Sequence, residues 1–226
     1  AIRQPKALLE YVGLEADDIG FSEIGTTQFP IRVPHAYADR IQTNNPNDPL
    51  LRQVFPYIEE EQEYKGFVHD PLAESTFKTA PGLLHKYESR VLSITTGACA
   101  IHCRYCFRRH FPYQDITVTP ASLDKSLAYI RTDTSIKEVI LSGGDPLSLS
   151  DQRLLTFCEA IAGIQHIKRI RFHTRIPVVL PARISVPLMK KLSQLGKDII
   201  FVLHINHSNE IDEAVADEID KITSFA

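Results

Sequence analysis

The amino-acid sequence predicts an α/β protein, built as a partial parallel (β/α) barrel with an N-terminal helical layer. Two features of the chain lead to this prediction. From Arg90 onward, short apolar runs alternate with helical patterns four times, as parallel strands with returning helices require. Before Arg90, short helical patterns follow prolines, and none is long enough to form a core alone. We therefore expect a helical and extended layer over residues 1–89 and the first four strand-helix units of a barrel over residues 90–226.

The four repeating units follow from the spacing of apolar residues. Strands are predicted at "VLSIT", "EVILSGG", "RIRFHT" and "DIIFVLHI". Helices are predicted at "ASLDKSLAYIRT", "DQRLLTFCEAIAGI", "PLMKKLSQLG" and "NEIDEAVADEIDKIT". The strands should pair in parallel and in chain order, starting near Val91, Val139, Arg169 and Ile199. Because the pattern stops after the fourth helix, we expect the C-terminal strands of the barrel to be missing from this chain and one edge of the sheet to be open.

Composition and charge narrow the range of partners. The chain has 226 residues, 43% of them hydrophobic, which suits one sizeable core. A net charge of −3 gives no general attraction to nucleic acid or to anionic membranes, so we expect neither as a partner. No apolar segment is long enough to cross a bilayer, and the first residues, "AIRQPKALLE", lack the apolar core of a secretion signal. We expect a cytoplasmic protein, and a homo-oligomer is compatible with the sequence.

Three of the four cysteines lie close together, directly after the first predicted strand. They are Cys99, Cys103 and Cys106, with the spacing C-x3-C-x2-C. In a parallel sheet this position is the carboxyl edge, where active-site loops gather. Three thiolates on a four-iron four-sulfur cluster leave one iron open to a substrate or cofactor. A zinc site completed by His102 and His110 is the alternative, because structural zinc normally takes four protein ligands.

The fourth cysteine and a glycine pair complete the set of chemical motifs. Cys158 lies in the middle of a predicted helix, so we expect it in the core and not at a metal. The segment "LSGGDPL" follows the second predicted strand, and its candidate ligand-binding residues are Ser142, Gly143, Gly144 and Asp145. Paired glycines let a ligand approach the backbone closely. The alternative is a tight strand-to-helix turn capped by Asp145.

The motifs "CAIHCRYC" and "LSGGDPL", each after a strand, resemble those of the radical S-adenosylmethionine (SAM) superfamily. The resemblance implies a 4Fe-4S cluster whose open iron binds the amino and carboxylate groups of SAM. It also implies an external electron donor, because the cluster must be reduced before it cleaves SAM to a 5'-deoxyadenosyl radical. In this superfamily the glycine-rich segment holds the amino group of SAM, and an aromatic residue at the position of Tyr105 lies beside the adenine.

Longer segments resemble the lysine 2,3-aminomutase family, from about Asp48 to the end of the chain. These segments are "PGLLHKYESRVL", "CRYCFRRHFPY", "LSGGDPL", "HTRIPVVLPARI" and "HINHSNEID". The family implies an isomerase that uses SAM and pyridoxal 5'-phosphate (PLP) to move an amino group between C2 and C3 of L-lysine. "CFRRHFPY" and "HINHSNEID" resemble most the branch that supplies beta-lysine for the modification of elongation factor P. Glutamate or another amino acid is the alternative substrate.

The aminomutase resemblance also implies roles for residues outside the cysteine and glycine motifs. Arg108 falls where the family binds the substrate carboxylate. The residues that fall at PLP positions are Lys86, Tyr87 and Arg90, with lysine in place of the more common arginine at the first of them. Those that fall near SAM are Arg175 and His204. The lysine that forms the PLP imine is expected beyond Ala226, so none is assigned.

Two other classes of protein share part of these motifs. A radical SAM enzyme that acts on RNA would keep the cysteines and "SGGD", but it needs a basic surface, which the net charge of −3 opposes. A non-catalytic iron-sulfur or zinc-binding module would keep the cysteines alone. Direct counting of iron and sulfide separates a cluster from zinc.

Overall fold

A computed structural model describes residues 1–16, 19–62, 65–66, 68, 74–106 and 120–225. Its centre is a six-stranded sheet that curls into a half-barrel, with the strands in chain order. The strands are β1 (Lys78–Ala80), β2 (Leu83–Tyr87), β3 (Arg90–Thr96), β4 (Glu138–Gly143), β5 (Arg169–Thr174) and β6 (Asp198–Leu203). The predicted fold class, an α/β partial barrel, is confirmed.

Strands β3 to β6 are parallel, and they begin where the sequence predicts. In the register, Arg90 lies opposite Glu138, Glu138 opposite Arg169, and Arg169 opposite Asp198. Their carboxyl ends therefore meet at one edge of the sheet. Within the described residues β6 is the last strand, so the sheet is open on that side, as predicted.

An antiparallel hairpin, β1 and β2, extends the sheet on its other side and was not predicted. The sequence predicts a helical and extended layer up to residue 89, but β2 pairs with β3 and places Leu83 opposite Ser93. Both strands are short, so an alternating pattern of apolar and polar residues is hard to recognise in them. The hairpin precedes residue 90 and yet belongs to the barrel sheet. The division of the chain into two units at that residue stays a prediction.

Helices cover one face of the sheet and form the N-terminal layer. They are α1 (Pro5–Val12), α2 (Glu23–Gln28), α3 (His35–Ala38), α4 (Pro120–Thr132), α5 (Asp151–Ala162), α6 (Ile176–Val179), α7 (Val186–Ser193) and α8 (Glu213–Thr223). Several begin at a side chain that accepts a backbone hydrogen bond, as Ser150, Ser185 and Asp212 do. In the described part of the chain, no helix combines the length and the apolar character needed to cross a membrane.

Two apolar clusters hold the structure together. The larger one lies between the sheet and its helices, where alternate strand residues such as Val139, Leu141 and Phe172 are buried. The second lies within the N-terminal layer and includes Ile101 from the segment between the cysteines and Val179 from α6. The N-terminal layer is thus packed against the carboxyl edge of the sheet.

The face of the sheet opposite the helices carries an ionic group at its amino end. Glu138 is buried, and its Oε1 accepts a hydrogen bond of 2.5 Å from Nε of Arg171. Oε2 of Glu138 lies 3.7 Å from Nη1 of Arg169. Burial alone would raise the pKa of Glu138, but Arg171, Arg90 and Arg169 outweigh it and hold that pKa below its ordinary value.

This depressed pKa makes the stability of the protein depend on pH. Because its folded pKa is low, Glu138 contributes stability above its unfolded pKa, and this contribution is lost as pH falls through the folded value. We expect the free energy of urea unfolding to decrease below pH 4.5, the ordinary glutamate value, and to decrease less in Glu138→Gln. Glu159→Gln, an exposed change on α5, is the matched control. Equal pH dependence in wild type and Glu138→Gln would contradict this role.

Candidate functional site

A pocket of about 350 Å³ opens at the carboxyl edge of the parallel strands. The segments that follow β3, β4, β5 and β6 all contribute to its wall. The predicted site residues that line it are Cys99, Cys103, Tyr105, Cys106, Ser142, Gly143, Gly144, Asp145, Arg175 and His204. The structure therefore brings together the three cysteines, the glycine segment (residues 141–147, "LSGGDPL") and both residues assigned near SAM.

The two glycines let the glycine segment pack directly against the end of β3 and the cysteine segment that follows it (residues 97–106). The amide of Gly144 donates to the carbonyl of Thr96 at 2.7 Å, and the amide of Asp145 donates to Ala98 at 2.8 Å. A Cβ on Gly144 would lie 2.2 Å from the oxygen of Ala98. Gly143 has φ of +115°, and a Cβ there would lie 2.6 Å from the oxygen of Thr96. The close approach that the glycines permit is therefore made by neighbouring backbone.

Asp145 joins the ends of β4 and β5. Its carboxylate accepts hydrogen bonds from the amides of Leu147, Arg175 and Ile176 and from the hydroxyl of Thr174. Burial raises the pKa of Asp145 above its ordinary value, although these hydrogen bonds partly oppose the increase. The capping role that the sequence offers as an alternative is present, since Asp145 caps the turn that contains Leu147. A role of this segment toward SAM stays a prediction.

Side chains between the cysteines bind the N-terminal layer. Nδ1 of His102 lies 2.7 Å from the carbonyl of Pro30, and its ring stacks on Phe29 at 4.9 Å between centroids. The guanidinium of Arg104 makes two hydrogen bonds to Glu60, at 2.7 and 2.6 Å, and one to the carbonyl of Phe29. The N-terminal layer therefore positions the cysteine segment. His102 uses a ring nitrogen for that purpose, and His110, the other candidate zinc ligand, lies outside the described residues.

Arg175 is the central cation of the pocket. Its Nη1 lies 2.7 Å from Sγ of Cys103 and 2.5 Å from the hydroxyl of Tyr105. Its Nη2 lies 2.6 Å from Oε1 of Gln53 and 3.0 Å from Oε2 of Glu210. The side chain of Arg175 is 6% exposed, so these partners replace water almost completely.

Gln53 and Glu210 are site residues that were not assigned from the sequence. Glu210 is fully buried, and its Oε1 accepts hydrogen bonds from Gln53 and from the amides of Asn206 and His207. Burial would raise the pKa of Glu210, but Arg175 and these hydrogen bonds lower it. Glu210 completes a capping box that begins at His207, and a glutamate three residues after a cap was the available signal. Gln53 lies in the N-terminal layer and carries no recognisable motif.

His204 and Tyr105 form an aromatic wall beside Arg175. Their rings meet edge to face, with centroids 5.7 Å apart. Nε2 of His204 lies 3.0 Å from Oδ1 of Asn206, and the side-chain Nδ2 of Asn206 donates a hydrogen bond to the hydroxyl of Tyr105. Burial and the charge of Arg175 lower the pKa of His204, which favours the neutral imidazole. Tyr105 keeps 45% of its surface exposed and so offers a ring face to a ligand.

The residues assigned to PLP lie at the other end of the sheet. Tyr87 pairs with Arg90 at the amino end of β3, and Nζ of Lys86 lies over the ring of Phe77. Strand β3 has seven residues, so Arg90 is about 20 Å from the segment that carries the cysteines. The structure therefore does not bring these residues to the cysteine pocket. Arg108 lies outside the described residues.

The remaining cysteine is placed as predicted. Cys158 is buried among apolar side chains of α5 and the sheet, and burial raises the pKa of its thiol to about 12. A neutral, buried thiol of this kind behaves as a small apolar residue.

The pocket fits a metal cluster with a bound ligand. Burial raises the pKa of Cys99, and Asp145 and the other two cysteines raise it further, so thiolates here need a nearby cation. Nε of Arg175 is buried and has no acceptor among the described residues, which leaves a donor for a ligand. No three described His, Cys, Asp or Glu side chains converge as the ligands of one ion do. A four-iron cluster does not need this, because each thiolate binds a different iron.

Comparison with known proteins agrees with this geometry. Residues 93–224 match the family model described as the radical SAM superfamily, so the chain belongs to that superfamily. Membership implies a 4Fe-4S cluster and SAM.

Several curated relatives carry the name L-lysine 2,3-aminomutase. The chain is 41% identical over 224 residues to the protein of that name from Haemophilus influenzae. The aligned residues make up 99% of the chain and 66% of the relative. It is 39% identical over 222 residues to the one from Escherichia coli, and here the aligned residues make up 98% of the chain and 65% of the relative. The chain thus spans slightly less than two thirds of their length. These alignments reach into the N-terminal layer, beyond the segments that begin near Asp48.

Proposed function

We propose that this chain is part of an isomerase, a radical SAM aminomutase that uses PLP to move an amino group between C2 and C3 of L-lysine. The observation that carries the proposal is the pocket at the carboxyl edge of the sheet, where three cysteines, the glycine segment, Arg175 and His204 meet. The names of the relatives support lysine as the substrate. Glutamate or another amino acid is the alternative substrate.

The residues of the pocket divide into those that hold the cluster and those that hold SAM. We assign the cluster to Cys99, Cys103 and Cys106. We assign SAM to Ser142, Gly143, Gly144 and Asp145 of the glycine segment. We also assign SAM to Arg175 and to the two aromatic residues beside it, Tyr105 and His204. When bound, the cluster and SAM supply a carbon radical, and PLP supplies a conjugated system that stabilises a radical beside nitrogen.

Arg175 and Tyr105 suit different parts of SAM. The unpartnered Nε of Arg175 can donate to the carboxylate, because a guanidinium stays charged at any working pH. The exposed ring face of Tyr105 can stack on adenine. Neutral His204, held by Asn206, leaves the positive charge of the wall to Arg175. The N-terminal layer covers the cysteine segment and so helps to exclude water.

We also propose that Lys86, Tyr87 and Arg90 bind the phosphate of PLP. Arg90 lies opposite Glu138 on one side, and Arg169 and Arg171 lie on the other side of Glu138, so three cations surround this carboxylate at the amino end of the sheet. An anionic phosphate is stabilised by this positive charge. PLP and SAM would then reach the substrate from opposite ends of the half-barrel.

Biological partners follow from the same proposal. The substrate is a small amino acid, and the cluster needs an external electron donor. We further propose that beta-lysine made by the enzyme is used to modify elongation factor P. This is tested by looking for beta-lysyl elongation factor P, by mass spectrometry, in cells with and without the gene.

The direct test of the proposed function is an anaerobic assay of the full-length protein. The reconstituted protein is given SAM, PLP and a reductant, with L-lysine or L-glutamate in parallel. We expect beta-lysine by chromatography and no beta-glutamate. Beta-glutamate alone would support the alternative substrate, and neither product from a protein with full cluster content would contradict the proposal.

Arg108 provides a substitution test of the substrate site. Arg108→Lys in the full-length protein should leave the iron content and SAM binding unchanged, because Arg108 is not a cluster ligand. Lysine replaces the two-pronged grip on a carboxylate with a point charge. Beta-lysine formation should fall by roughly 100-fold, as expected when a reacting group is misplaced by about 1 Å. Wild-type turnover at subsaturating lysine would remove Arg108 from the substrate site, and loss of the cluster would reassign it to a structural role.

A further inference from the structure

The guanidinium of Arg175 is fixed in one position by groups from distant parts of the chain. Gln53 comes from the N-terminal layer and Glu210 from the turn after β6, and both bind Nη2. The rings of Tyr37 and Tyr105 lie on the guanidinium, 5.4 and 5.7 Å from its central carbon. With Nη2 held in this way, Nη1 faces Sγ of Cys103 at 2.7 Å.

Glu210 is the anchor of this arrangement. Its carboxylate is fully buried and is held by two backbone amides, those of Asn206 and His207, so its position is set by the fold of its own turn. A buried carboxylate is costly unless a cation neutralises it, and Arg175 pairs directly with the Glu210 carboxylate at 3.0 Å. Gln53 bridges the pair, because its amide nitrogen donates to Glu210 while its oxygen accepts from Arg175.

We propose that Glu210 and Gln53 are positioning residues that hold Arg175 against Cys103, so that Arg175 donates a hydrogen bond to a sulfur ligand of the cluster and raises the cluster's reduction potential. Hydrogen bonds to ligand sulfurs and nearby charges are main determinants of the potential of iron-sulfur clusters. A donor with positive charge stabilises the reduced cluster more, because that state carries one additional electron. The inference rests on the cluster implied by the superfamily and is independent of the substrate.

The test uses variants in which each side chain keeps its charge state but becomes shorter or loses part of its hydrogen-bonding geometry. Glu210→Asp retains the carboxylate and withdraws it by one methylene, Gln53→Asn withdraws the amide in the same way, and Arg175→Lys retains the positive charge but loses the fork. Each full-length protein is reconstituted anaerobically, its iron and sulfide are counted, and its cluster potential is measured without SAM by redox titration followed by electron paramagnetic resonance. We expect full iron content and a shift to more negative potential in all three, largest in Arg175→Lys.

Glu218→Asp is the matched control. Glu218 is also a buried glutamate, paired with Lys221 on α8 at 2.5 Å, but it does not line the pocket. It should leave the potential at the wild-type value. A wild-type potential in either Glu210→Asp or Gln53→Asn would overturn the positioning role, and a wild-type potential in Arg175→Lys would overturn the hydrogen bond itself. Since Gln53 and Glu210 lie on different elements, failure of one variant to fold leaves the other to decide.

Discussion

Serine in place of any one of Cys99, Cys103 and Cys106 is expected to abolish cluster retention. Serine oxygen is a poor substitute for a soft thiolate at iron, and the three cysteines line one pocket where each is needed. Iron and sulfide should be counted directly after anaerobic reconstitution, because PLP absorbs near the cluster band. Loss of both is expected in each variant.

Cys158→Ser is the control for this series. Its thiol lies in the apolar core and not in the pocket, so iron content should match the wild type although stability falls. Full iron content in Cys103→Ser would defeat the assignment of the cluster ligands. Stoichiometric zinc in place of iron in the wild type would favour the zinc alternative.

Gly144→Ala is expected to produce the largest loss of stability in the pocket. The added methyl would lie 2.2 Å from the oxygen of Ala98 and 2.8 Å from the carbonyl carbon of Gly97, and both are backbone atoms that no side-chain rotation can move. The hydrogen bond from Gly144 to Thr96 would be strained at the same time. We expect the free energy of urea unfolding to fall by about 3 kcal/mol, the upper range for overpacking of a well-packed region.

Gly163→Ala is the matched control for this change. A methyl there would meet its nearest atoms at 3.6 and 3.7 Å, which is ordinary contact, so stability should change little. In Gly144→Ala, retained iron should fall together with stability, because the glycine segment supports the cysteine segment. Equal stability of the two variants would show that the backbone contact at Gly144 is not required.

The parallel part of the fold was predictable because buried strands and amphipathic helices have clear, different periods. The runs that became β3 to β6 are apolar and long enough to recognise, and each is followed by a helical pattern. The hairpin β1 and β2 was missed since its strands of three and five residues carry too short a pattern. Its position is determined by pairing with β3, which is a tertiary contact.

The site was predictable where chemistry and strand ends coincide. The cysteines and the glycine segment follow strands that are parallel and adjacent, so their meeting at one edge follows from topology. Gln53 and Glu210 could not be assigned in this way, because they are 157 residues apart and neither belongs to a spacing that indicates a ligand. The glycines were predicted to admit a ligand, and this stays a prediction: both line the pocket, and their missing Cβ atoms also let neighbouring backbone approach.

The grip of the N-terminal layer on the cysteine segment limits how this protein can be divided. The superfamily match begins at residue 93, yet Glu60 and Pro30, which hold Arg104 and His102, lie before that boundary. Gln53, which orients Arg175, lies before it as well. The radical SAM core is therefore not an autonomous module that could be exchanged between enzymes by cutting at the family boundary. Evolutionary recombination of this catalytic unit would have to carry its N-terminal residues along with it.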